Sequence, residues 1–268
     1  MPVLFVGHGT PMNAIEENRF SRYWQKLGKV LPRPGAILCI SAHWETIGTK
    51  VTAIEHPETI HDFSGFSREL YMQQYPAPGS PALAETILTR IPEVKADRQW
   101  GLDHGAWSVL KHMYPQADIP VVQLSIDRSG EMQYHYGLGQ SLRFLRSEGV
   151  LIIGSGNMVH NLWMVRPDEN GFNNLLAYEW AERMNGKMKS AILNDEHDRL
   201  IDYHSLDPDS ELAVPSEEHY IPLVYTLGAS QPDEQIEIFN DEIVAGSLSM
   251  TSLVIGNTAR EEPIQAEE

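Results

Sequence analysis

The sequence predicts an α/β fold: a single domain whose central sheet is mainly parallel or mixed and is flanked by helices on both faces. Three observations carry this. Short β-branched apolar runs alternate with segments of helical period. Those runs are continuously apolar rather than alternating, as strands buried on two faces are. No internal repeat, low-complexity stretch or linker divides the chain, and a length of 268 residues does not demand two domains.

Residues 3–6 (VLFV) form the first buried run, ended by Gly7. Phe20, Tyr23, Trp24 and Leu27 then recur at the i, i+3, i+4, i+7 spacing of an amphipathic helix, with Gly28 where a C′ residue is expected. Residues 36–40 (AILCI) read as a second strand, and 54–66, of mixed polarity with a Pro and a Gly, as a long loop. Ser80 and Pro81 are a natural N-cap and N1 pair for a helix through Ala84, Ile87 and Leu88. A further helix starts near Asp103 and His104, with Trp107, Leu110 and Tyr114 turned inward.

Residues 121–126 are strand, and Leu138, Leu142 and Leu145 share a helical face before Gly149. The run 150–153 (VLII) is a buried strand leading into Gly154, Ser155 and Gly156. The longest helix is expected over 174–194, with Leu176, Trp180, Met184, Met188 and Ile192 as its packing row. Residues 236–239 and 248–255 close the sheet. Too little chain follows the turn-rich stretch 207–215 for a second core, so one catalytic domain is expected over 1–258 and a short acidic tail over 259–268.

A hydrophobic share of 42% and a charged share of 21% are those of a soluble globular protein. The formal charge of −17 argues against nucleic acid and anionic lipid as partners, because both are held by Lys and Arg. Cys39 is the only cysteine and sits in an apolar run, so a buried thiol and a reducing compartment are expected. With no basic leader region and no run near the ~18 apolar residues of a membrane span, the expected location is the cytoplasm. No sequence feature speaks to the oligomeric state.

The histidines carry the chemistry. Three buried runs each lead through small residues to a histidine: VLFVG to His8, AILCISA to His43, and VLIIGSGNMV to His160. Ligands of open α/β sheets bind at the carboxyl ends of strands, so these distant positions are placed to meet. His219 stands just before Pro222, which suits a helix first turn, and a helix N-terminus favours neutral imidazole. Neutral imidazoles bind Fe(II) and Zn(II), and three protein ligands leave positions open for substrate. The competing reading is of unrelated polar groups hydrogen-bonded near strand ends, since no local spacing such as HExxH occurs.

His104 alone would be a polar residue at a helix start. His61, in the long loop, is either a solvated side chain or a substrate contact. His56, His112, His135, His197 and His204 read as structural or surface groups. Gly154-Ser155-Gly156 completes no phosphate-binding pattern, no GxSxG elbow is present, and Cys39 has no evident activation.

Five motifs taken together resemble a known family: Gly7-His8-Gly9-Thr10-Pro11-Met12, Ser41-Ala42-His43-Trp44, Asp103-His104-Gly105, Gly156-Asn157-Met158-Val159-His160-Asn161 and Pro215-Ser216-Glu217-Glu218-His219-Tyr220. This set is similar to the class III extradiol ring-cleaving dioxygenases, specifically their bacterial 4,5-DOPA extradiol dioxygenase branch, from Pro2 to about Gly256. The resemblance implies one α/β domain that uses a single non-haem divalent metal to insert O₂ into a catechol such as L-DOPA, giving a muconic semialdehyde. Fe(II) is implied for that activity, with Zn(II) able to occupy the same ligands.

Carried over by motif, His8 and His43 are metal ligands and His219 the third, with Glu218 as the alternative. His160 is either close to the metal as a ligand or the acid/base group, and His104 is a catalytic histidine, placed either behind the ligands or on the substrate side. A zinc hydrolase using the same ligands, or a binding protein that keeps the pocket without chemistry, are the other readings.

Overall fold

In the computed structural model, residues 1–169 and 171–258 are described; the tail expected at 259–268 lies outside the described residues. The strands are β1 (Val3–Gly7), β2 (Ala36–Thr46), β3 (Lys50–Thr52), β4 (Lys95–Asp97), β5 (Val121–Asp127), β6 (Val150–Gly156), β7 (Ile236–Phe239), β8 (Ile243–Val244), β9 (Leu248–Ser249) and β10 (Ser252–Ile255). Eight of them form one sheet in the order β4-β3-β5-β2-β6-β1-β10-β7, and β8 pairs with β9 separately. The inner strands β5, β2, β6 and β1 are mutually parallel, while β3 runs antiparallel to β5, β10 to β1, and β7 to β10. The sheet is therefore mixed, with a parallel centre.

Alternation of side chains explains the continuous apolar runs. Val3 and Phe5, Leu38 and Ile40, and Val150 and Ile152 enter one core with the helices Pro81–Arg90, Met132–Ser141, Glu179–Leu193 and Ile221–Ala229. Leu4 and Val6, Ile37, and Leu151 and Ile153 enter the other with the helices Arg19–Val30 and His104–Met113. Each strand face meets helices, so no polar face is left in these segments.

Several expected boundaries change. Gly28 does not end its helix, which runs to Val30 before Leu31-Pro32; a Cβ at Gly28 would run into the Met113 carbonyl oxygen of the neighbouring helix. The long helix starts at Glu179, not 174, because the backbone of 176–178 is engaged elsewhere. Gly246 N–H donates to the Leu176 carbonyl and Tyr178 N–H to the Gly246 carbonyl, which leaves Leu176 exposed instead of in the packing row. The last strand is interrupted at Met250, whose N–H bonds to Glu242 O. Ser80 and Pro81 do cap and start the helix Pro81–Arg90, the serine side chain accepting from Leu83 N–H.

Candidate active site

β6 lies between β1 and β2 in the sheet, and the three carboxyl ends converge on the site. His8 is the first residue after β1, and its N–H donates to the Gly156 carbonyl at the end of β6. His43 lies inside β2 rather than beyond it. The pairing of β2 with β5 shifts between Ile40 and Glu45, so the strand continues to Thr46 with Ser41–Trp44 displaced from regular register. His160 follows β6, bridges Leu248, and donates its N–H to the Ala213 carbonyl. His104 begins the helix His104–Met113, capped by Asp103, whose carboxylate accepts from Ala106 N–H.

His219 precedes the helix Ile221–Ala229, and its carbonyl accepts from Asn157 N–H at 2.9 Å. This contact explains Gly156. A Cβ there would collide with the His219 carbonyl oxygen, and one at Gly154 with that of Pro222. The Gly-Ser-Gly stretch weighed as a phosphate cradle is strand, kept bare so that the helix bearing His219 can lie against it.

Five histidine rings meet in this space. The centroid separations are 5.0 Å for His8–His43, 5.0 Å for His43–His219 and 5.3 Å for His8–His219. With metal–nitrogen bonds of ~2.1 Å, ring centroids stand ~3.2 Å from an ion, hence ~4.6 Å apart at a right angle and ~5.3 Å at a tetrahedral angle. The His8, His43, His219 triangle fits one ion. His43–His104 at 3.9 Å and His160–His219 at 3.5 Å, stacked within 8°, are too close for both members to bind it end-on. Measured by donor atoms alone, two compact groups form, His8 with His43 and His104, and His160 with Glu218 and His219; the ring geometry favours the trio that spans them, because an imidazole must aim its lone pair and not merely lie near.

Hydrogen bonds at the far ring nitrogens fix that aim. Ser155 Oγ lies 3.0 Å from His8 Nδ1 and 2.5 Å from the Gly105 carbonyl. A serine has one proton, and the carbonyl can only accept it, so Ser155 accepts from His8 Nδ1–H. His219 Nδ1–H donates to Glu218 Oε1 at 2.9 Å. Asp62 Oδ2 is 3.3 Å from His43 Nδ1, a charge contact without hydrogen-bond geometry. In His8 and His219 Nε2 keeps its lone pair, and the Nε2 atoms of His8 and His43 stand 3.1 Å apart. Such partners hold metal-binding imidazoles in one tautomer.

Electrostatics agree. Burial, followed by the neighbouring imidazoles, pushes the pKa values of His8 and His219 well below the ordinary histidine value. Burial and the proximity of His104 hold His43 down at about 3, against the opposing pull of Asp62. Burial lowers His160 to about 4, opposed by Glu218. All four are neutral at pH 7 and available as bases or lone-pair donors.

Asp62 is the residue that sequence reasoning missed. Its Oδ1 accepts from His104 N–H at 2.8 Å and its Oδ2 from His104 Nδ1–H at 2.9 Å. Burial alone would raise its pKa, but the hydrogen bonds and charges of His104 and His43 bring it below the usual value. Nothing local distinguishes it from other loop acids; only the position of loop 54–66 over the helix His104–Met113 does. Its neighbour His61 faces elsewhere, with Nε2 2.9 Å from the Gln73 carbonyl. His112, His135 and His197 hydrogen-bond to Asn13, Tyr225 and Tyr136, away from the cavity.

The histidines open on a cavity of about 270 Å³ whose remaining wall is mainly apolar and includes Phe63, Phe66, Leu162 and Phe172. A set of imidazoles at the carboxyl ends of parallel strands, beside an apolar space of that size, defines a metal-dependent α/β enzyme for a small organic substrate. The family described as the catalytic LigB subunit of aromatic ring-opening dioxygenase matches residues 2–255, and the chain belongs to it.

Relatives span nearly the whole chain. The 4,5-DOPA dioxygenase extradiol of Escherichia coli K12 is 49% identical over 96% of this chain and 95% of its own. That of Beta vulgaris is 38% identical over 95% and 96%. The crystal structure of an uncharacterized Escherichia coli K12 protein matches with a TM-score of 0.82 at 45% identity, covering 96% of this chain and 100% of that one. The protein is a non-haem extradiol aromatic ring-opening dioxygenase, acting on a small catechol and O₂. Among the described residues no helix is long and apolar enough to cross a membrane.

Proposed function

We propose that the protein opens the ring of a catechol such as L-DOPA by 4,5-cleavage to a muconic semialdehyde, with one Fe(II) ion held by the Nε2 atoms of His8, His43 and His219. The observation that carries this is the near-equilateral ring triangle of 5.0, 5.0 and 5.3 Å, with the Nδ1–H of His8 and of His219 already given to an acceptor. In this reading Glu218 orients His219, its Oε1 accepting from both His219 Nδ1–H and Ser216 Oγ–H. The same nitrogen set also suits Zn(II).

When bound, the metal supplies the centre on which both catechol oxygens are held and O₂ is activated. The chain's own residues do the rest. The His160 ring makes no hydrogen bond to the described residues, is neutral at pH 7 and lies against His219. It takes the catechol proton and returns it to the departing oxygen as the ring opens. His104, with Nδ1–H given to Asp62, presents Nε2 to the substrate side. The aromatic wall excludes water from the reacting centre.

The catalytic domain is assigned to 1–258, followed by the acidic tail at 259–268. A cytoplasmic location suits the single buried thiol, Cys39. The test is anaerobic loading of the apo-protein with Fe(II), addition of L-DOPA and then air. One O₂ consumed per yellow semialdehyde formed is expected. No uptake with any of several catechols, together with a Zn(II)-dependent esterase activity, would overturn the proposal.

A further inference from the structure

We infer that Asp103 positions His43 for metal binding, its carboxylate clamping the displaced stretch of β2 on either side of that histidine; the inference rests on the ligand assignment above. The sheet ladder alone does not fix His43. Regular pairing of β2 with β5 is lost between Ile40 and Glu45, and its pairing with β6 ends at Ser41. Before His43, Ser41 Oγ–H donates to Asp103 Oδ1 at 2.6 Å, and the same Oγ accepts from His43 N–H at 3.3 Å. After His43, Trp44 stacks on Trp100 with centroids 5.5 Å apart and planes within 2°. Trp100 Nε1–H in turn donates to Asp103 Oδ2 at 3.4 Å. A Cβ at Gly105 would strike Ser41 Oγ and stand 2.9 Å from His43 Cδ2, so the helix start lies directly against this stretch.

Capping the helix does not by itself account for a carboxylate at 103. Ser or Asn would accept from Ala106 N–H as well, without taking a carboxylate out of water. Asp103 is fully buried, and what its carboxylate adds is a second acceptor oxygen. Oδ2 accepts from Gln123 Nε2–H at 2.7 Å, while Gln123 Oε1 accepts from Asp103 N–H at 2.9 Å. These two bonds fix the amide of Gln123 and, with it, the oxygen that Asp103 turns to Ser41. In Asp103→Asn the new amide nitrogen must face either Gln123 Nε2–H or Ser41, so the shape is kept and one acceptor is lost. Ser41→Ala removes the next link of the same chain without touching the helix cap.

The test measures Co(II) affinity by chelator competition, and the visible absorption of the bound ion, in the full-length wild type, Ser41→Ala, Asp103→Asn and the double variant, each well below its Tm. Loss of a ligand's supporting contacts typically lowers metal affinity by about 10- to 100-fold. A loss of that order is expected in each single variant, together with a shifted Co(II) absorption. The double variant should bind no more than about threefold more weakly than Asp103→Asn, because both substitutions break one chain. If Asp103→Asn does not fold, Ser41→Ala decides alone. Wild-type affinity and absorption in Ser41→Ala, or losses that multiply in the double variant, would overturn the inference and leave Asp103 a helix cap. A wild type that binds Co(II) as expected but, loaded with Fe(II), opens no catechol would sink the ring-cleavage reading and leave the role of Asp103 standing. One that binds no Co(II) would overturn both.

Discussion

His160 lies face to face with His219, ring centroids 3.5 Å apart and planes inclined by 8°. Two imidazoles stacked in this way cannot both aim a lone pair at one ion, which is the basis of the proposed division of labour: His219, with its Nδ1–H held by Glu218, as ligand, and His160 as the proton carrier. His160→Ala should lower kcat by ~10² to 10⁴ and leave the metal content of the reconstituted protein unchanged. Loss of the metal from this variant would make His160 a ligand.

Glu218 sets the tautomer of His219 across 2.9 Å. Its removal in Glu218→Ala should weaken metal binding by about 10- to 100-fold, as loss of a ligand's hydrogen-bond partner typically does. Glu218→Gln, which keeps an acceptor oxygen, should recover much of that affinity in a chelator competition titration. A glutamine variant as defective as the alanine one would argue that the carboxylate itself binds the ion.

Asp62 accepts two hydrogen bonds from His104, one at each carboxylate oxygen. Asp62→Asn offers only one acceptor oxygen, so one donor of His104 is left unpaired, at a cost of about 1 to 3 kcal/mol. Turnover should fall through kcat more than through KM while the metal stays bound. Wild-type kinetics would leave the Asp62–His104 pair with a role in loop packing alone.

Gly156 lies directly under the His219 carbonyl. A methyl group there must displace the backbone that carries the third nitrogen, and overpacking of this kind costs about 1 to 3 kcal/mol. Gly156→Ala should therefore show a lower Tm and weaker metal binding together. A variant with both unaltered would mean that the strand and the helix can separate freely.

Burial depresses His8 and His219 well below the ordinary 6.5 and brings His43 to about 3 and His160 to about 4. Between those values and 6.5 the unfolded chain binds protons that the folded chain does not, so stability rises with pH across this window and is lost as pH falls below 6.5. Each histidine contributes a slope of about 1.4 kcal/mol per pH unit there. The metal-free protein should thus melt at a markedly lower temperature at about pH 5 than at about pH 7, with Asp62, whose pKa is depressed, adding its loss only at still lower pH. A flat Tm over that range in scanning calorimetry would contradict the buried, neutral state of these rings.

Local chemistry is legible where it is self-sufficient. Ser80-Pro81 starts its helix as read, since a cap and a fixed φ need no distant partner. Gly28 and Leu176 depart from their sequence expectation because their roles depend on other segments: the Met113 carbonyl pressed against one, the Gly246 backbone bonded beside the other. The same division runs through the site. The sequence by itself determined the strands, the helices covering both sheet faces, and the histidines His8, His43 and His160 near strand ends, because apolar periodicity and strand-end placement are written within a few neighbouring residues.

Tertiary structure alone brings the rings of His8, His43 and His219 into the 5 Å triangle, sets the Glu218 carboxylate on His219 Nδ1, stacks His160 on His219 and ties Asp62 to His104. These choices rest on lone-pair directions and, apart from the Glu218–His219 pair, on contacts between segments tens to hundreds of residues apart. Such directions exist only once the sheet has brought β1, β2 and β6 side by side.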